Sequence, residues 1–116
     1  MKMQYPKRLP RRVPEGLLAQ GRIQYDFKIR QLIWLDECIM FSKARNVCVA
    51  VFWDNLFRGN LPIPQERILG EWDGESTYLS YLFKRDSAWG RIIVGDGKGN
   101  FWLHVPEEII REFEPE

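Results

Sequence analysis

Apolar and polar residues alternate over residues 21–30. Ile23, Tyr25, Phe27 and Ile29 take one set of positions, and Arg22, Gln24, Asp26, Lys28 and Arg30 take the other. A period of two is that of a strand with one wet face, so this stretch predicts a β-strand. Residues 31–41 fit two patterns. Leu32, Ile33, Leu35, Ile39 and Met40 match a helical stripe, whereas Asp36-Glu37 would also turn two short strands, 32–35 and 38–41. The strands are preferred, because strands are expected on both sides. Residues 46–54, NVCVAVFWD, are apolar at nearly every position and rich in Val, the pattern of a strand buried on both faces. Asp54-Asn55 and Arg58-Gly59-Asn60 then punctuate a loop, and the LPIP that follows lacks the N–H groups of an inner strand. Residues 67–72 and 77–83 read as two more strands around Asp73-Gly74-Glu75.

The clearest signal is residues 89–105, WGRIIVGDGKGNFWLHV: two apolar runs joined by a turn of Gly, Asp and Asn, which predicts a β-hairpin. A loop centred between Gly97 and Lys98 pairs Val94 with Phe101, Ile93 with Trp102, Ile92 with Leu103 and Arg91 with His104. Ile92, Val94, Phe101, Leu103 and Val105 then form a core face, and Trp89, Arg91, Ile93, Trp102 and His104 the opposite one. Pairing the preceding strand about Asp86 adds Leu79, Tyr81 and Phe83 to that second face. A register slip of one residue exchanges the two faces.

Six to eight short strands separated by turn signals predict an all-β fold, a small antiparallel barrel or sandwich. The hairpin, a strand, Val105-Pro106 and a helical turn begun by Glu107-Glu108 resemble the close of an SH3-like barrel. That resemblance covers the last third of the chain, is topological, and transfers no functional residue. Pro106 at the first helical position suits the turn, which Ile109, Ile110 and Phe113 would pin to the barrel. At the other end Pro6, Pro10 and Pro14 make residues 1–16 an extended basic arm, leaving 17–116 as a single β-rich domain.

Composition changes the picture in three ways. The chain has 116 residues, room for one domain, and its five tryptophans offer a small core enough aromatic area to dispense with metal or disulfides. No apolar run approaches the roughly 20 residues of a membrane span and no signal-peptide core is present, so a cytoplasmic protein is expected. The net charge is only +1, yet the cations gather at the N-terminal end and Glu107, Glu108, Glu112, Glu114 and Glu116 at the other. This asymmetry suits nucleic acid, an acidic surface or head-to-tail association, or serves solubility alone.

Catalytic and cofactor chemistry find little here. His104 is the only histidine, and Cys38 and Cys48 lack paired CxxC spacing, so no metal site and no cofactor is expected. Residues 95–99, GDGKG, match neither a P-loop nor a dinucleotide fingerprint. Asp54, Asp73, Glu75, Asp86 and Asp96 occupy turn positions without the spacing of an acid–base pair. With a loop centred on Lys43, Cys38 would oppose Cys48 within disulfide reach; centred on Ala44, it would not.

The expected function is therefore non-catalytic binding, with no small-molecule substrate indicated. Tyr81, Trp89, Arg91, Trp102 and His104 form an aromatic face for a protein partner or a second copy of the chain. The alternative is nucleic acid, with bases stacked on that face and phosphates held by Lys7, Arg8, Arg11 and Arg12. A third reading covers the face from within the chain.

Overall fold

The first sheet begins with the strand that alternation predicts. In the computed structural model, which describes residues 12–60, 62–71 and 78–113, β1 (Ile23–Asp26), β2 (Gln31–Trp34) and β3 (Glu37–Met40) form an antiparallel meander in that order. Pairing Ile23 with Trp34, and Leu32 with both Tyr25 and Ile39, puts these apolar side chains on one face. The segment expected to be two strands is two strands, turned at Leu35-Asp36 with positive φ at both residues. β1 is shorter than the alternation predicts. The Asp26 carboxylate accepts the N–H groups of Lys28 and Ile29, an Asx-type turn that ends the strand and leaves Phe27 and Ile29 exposed.

Residues 46–54 are not a strand. They lie within α2 (Lys43–Leu56), begun by Ser42, whose hydroxyl accepts the Arg45 N–H. Cys48, Val49, Phe52 and Leu56 fall on one side of the helix and are fully buried. The apolar run extends round the helix because Val47, Ala50, Val51 and Trp53 are also half-covered. Periodicity cannot separate such a run from an inner strand.

The second sheet joins β4 (Ile63–Pro64), β5 (Ile93–Gly95) and β6 (Asn100–Leu103) in the order β4-β6-β5. Pro64 stands on its edge strand, where a missing N–H is tolerated. The expected strands at 67–72 and 77–83 are corrected to helices where described: α3 (Gln65–Leu69), entered from Pro64, and α4 (Leu79–Leu82). Asp73, Gly74 and Glu75 lie outside the described residues. α5 (Glu107–Phe113) forms where Pro106 and the two glutamates predict it, with Ile110 buried.

The all-β reading is thus overturned, and with it the SH3-like barrel. Two separate three-stranded sheets and five helices are present among the described residues, and the terminal hairpin pairs with β4 without closing a barrel. A common core joins Val13, Leu17, Ile23, Trp34, Phe52, Leu79, Leu103 and Ile110, and the Trp34 indole donates to the His104 carbonyl (3.1 Å) across the two sheets. Val13 and Leu17 belong to this core although the extended arm was expected to reach residue 16. α1 (Glu15–Ala19) carries Leu17 inward.

Candidate nucleic-acid interface

α4 is one helical turn, too short to persist alone, and it is held from both ends. At its start the Leu79 N–H donates to the Gln65 side-chain oxygen (3.1 Å), which ties it to α3. At its end Arg45 of α2 donates to the Leu82 carbonyl (2.7 Å) and the Lys84 carbonyl (3.1 Å). The same guanidinium pairs with Asp86 (3.2 Å) and lies 6.0 Å from the Phe83 ring centroid. Asp86 also accepts the Ala88 N–H (2.8 Å), so its carboxylate anchors the following loop. Leu79 and Phe83 sink into the core.

The other side of the turn faces outward. Tyr78, Ser80, Tyr81, Lys84 and Arg85 are exposed, with Tyr81 67% accessible, and no carboxylate occurs between residues 78 and 85. The Tyr78 and Tyr81 rings meet edge to face at 5.5 Å. Arg85 has φ +66, a left-handed conformation in the segment that follows α4.

The β5–β6 hairpin carries an exposed loop built on Asp96. One carboxylate oxygen accepts the N–H groups of Lys98 (2.7 Å) and Asn100 (3.2 Å), and the other the Asn100 side-chain amide (2.9 Å). These donors, the Asn100 amide foremost, hold the Asp96 carboxyl below its ordinary pKa. Gly97 and Gly99 supply the positive φ angles the loop requires, and Lys98 is exposed.

The hairpin register differs by one residue from the expected pairing. Ile93 faces Leu103, Val94 faces Trp102 and Gly95 faces Phe101. The expected aromatic face is dispersed as a result. Trp102 is 2% exposed and its indole N–H is buried without a hydrogen-bond partner among the described residues. Trp89 is half-buried between Phe83, against which it stacks at 5.7 Å, and Phe101 at 5.5 Å. Arg91 makes a bidentate pair with Glu37 of β3 (2.8 and 2.9 Å), a contact that lowers the Glu37 pKa and raises that of Arg91. His104 is half-buried, and its backbone bonds to Ile92 and Trp34. Of the three aromatic rings among them, Tyr81 alone has the exposure a stacking platform needs. Arg12 pairs with Glu15 at 3.5 Å, both side chains exposed, and Lys7, Arg8 and Arg11 lie outside the described residues.

The cysteines are apart: Cys38 is exposed on β3 and Cys48 is buried in α2, where burial raises its thiol pKa to about 12. No group of metal-ligating side chains, and no helix long and apolar enough to cross a membrane, occurs among the described residues. The residues that sequence reasoning missed are Gln65, Arg45 and Lys84–Arg85. Their role depends on α2 and α3 being helices. No family model, curated protein or solved structure matches the chain.

Proposed function

We propose that this chain is a non-catalytic nucleic-acid-binding domain that reads double-helical DNA with α4. The observation that carries the reading is the order α2, β4, α3, α4, β5, β6 with β4 beside β6, which is the order of a winged helix-turn-helix. In helix-turn-helix binding the second helix enters the major groove, and the helix before it crosses the backbone. Here that second helix is α4, which presents Tyr81 and is followed at once by Lys84 and Arg85, on a stretch without carboxylates. One turn is about 6 Å long, short against a major groove about 12 Å wide. Contact therefore falls to the long side chains, with Lys84 and Arg85 on phosphates and Tyr78 and Tyr81 against sugar and base edges. The Lys98 loop of the β5–β6 hairpin takes the place of the wing. The cations of residues 1–11 add a phosphate-tracking arm to the same ligand.

The test is fluorescence anisotropy of labelled duplex DNA, single-stranded DNA and RNA at about 50 and 200 mM salt, a range over which phosphate contacts weaken steeply. Duplex DNA is expected to bind best. Lys84→Ala with Arg85→Ala should weaken it on every sequence and reduce the salt slope by roughly 2. Folded protein that binds no nucleic acid at the lower salt would end the reading.

A further inference from the structure

Because residues 43–56 are a helix, one side of α2 lines an open groove. Its walls are the turn after β1 on one side and α3 on the other. Toward the start of α2 a depression of about 630 Å³ is lined by Phe27, Lys28, Arg30, Lys43, Asn46 and Val47. Phe27 and Val47 also line a second depression of about 360 Å³, which continues past Ala50 and Val51 to Asp54, Arg58, Arg67 and Glu71.

We propose that this groove docks a short acidic segment of a protein partner, seated by an apolar side chain. The charge is polarised along the groove. Among the described residues Lys28, Arg30 and Lys43 make no ion pair, and the carboxylate nearest to them in sequence, Asp26, accepts the Lys28 and Ile29 N–H groups and does not line their end, where the N-terminal dipole of α2 adds positive potential. At the far end Asp54 and Glu71 stand among Arg58 and Arg67. Between them the floor is apolar, and Phe27 stands 55% exposed at its rim. Phosphodiester backbones need cations but no apolar floor, whereas an acidic peptide with a Leu or Phe anchor uses both.

The wall is preformed. The buried Asn46 donates to the Phe27 carbonyl (3.1 Å), and the Tyr25 hydroxyl hydrogen-bonds to Asn46. The 14 residues of α2 span about 21 Å, room for an extended segment of about six residues. Its acidic residues lie over Lys28, Arg30 and Lys43, and its anchor over Val47 and Ala50.

The experiment is selection of a phage-displayed random peptide library on the full chain, followed by anisotropy of the enriched peptides. Enriched sequences should pair Asp or Glu with an aromatic or Leu anchor. Lys28→Glu with Lys43→Glu should weaken them roughly tenfold or more, and Val47→Asp should do the same while circular dichroism shows an unchanged fold. Arg91→Ala, outside the groove, should leave binding intact. No enrichment, peptides without acidic residues, or binding insensitive to the groove variants would overturn the proposal. So would competition by duplex DNA that Lys28→Glu with Lys43→Glu removes, which would assign the cations to phosphates. Dimerisation abolished by Val47→Asp would assign the groove to a second copy of the chain and overturn it equally.

Discussion

Arg45 reaches from the first turn of α2 to two backbone carbonyls and to a carboxylate whose side chain is 5% exposed. Arg45→Met retains the apolar stem and removes all three donors, leaving Asp86 buried without its charge partner. The expected cost is about 1.5–3 kcal/mol, read from urea denaturation. Arg45→Lys should recover only part of it, because one ammonium cannot match the planar fork. The cysteines provide a second test at this scale. In native protein at pH 8, a chromogenic thiol reagent should modify Cys38 rapidly and Cys48 only after denaturation, since burial keeps the Cys48 thiol protonated. Two fast equivalents in the native state would contradict the placement of Cys48 inside α2. Their separation was not legible in the chain, because opposition of Cys38 and Cys48 presupposed a strand where α2 lies.

The elements differ in how openly the residues declare them. β1 is written in alternation, β2 and β3 only in a run that a helical stripe fits as well, and the β5–β6 turn in glycines whose positive φ no bulkier residue adopts cheaply. The Asp96 network makes that turn sensitive to acid. Its carboxyl titrates lower in the folded protein than in the unfolded chain, so its stabilisation is present above the unfolded pKa and lost as pH falls through the folded one. NMR should show the Lys98 and Asn100 amides moving together, with a midpoint below the 3.8 of an ordinary aspartate. Asp96→Asn should abolish that titration. The one-residue register shift was not legible, since apolar residues on both faces of this hairpin give alternation no direction. α2 was hidden for the same reason. Val47, Val49 and Val51 favour a strand by propensity, and burial on several sides removes the helical period. Ser42 as N-cap and the length of the apolar run were the available signals.

At the scale of the whole molecule, correcting two strands to α3 and α4 turns an apparent barrel into a helical pair framed by a small sheet. Nothing local announces that order; it depends on β6 pairing with the two-residue β4, a contact between segments distant in sequence. The N-terminal end offers the sharpest global test. Val13 and Leu17 are buried in the core, so removing residues 1–17 should lower thermal stability far more than removing residues 1–11. Removing residues 1–17 deletes both, and loss of a single buried leucine already costs about 2–5 kcal/mol. The shorter truncation removes Lys2, Lys7, Arg8 and Arg11 from the proposed DNA contact. Each cation that reaches a phosphate contributes about 0.9 to the salt slope, so the slope should fall by up to roughly 4 while the ranking of sequences is retained. An unchanged slope would place every phosphate contact on the folded domain and leave α4 and its neighbours as the whole of the interface.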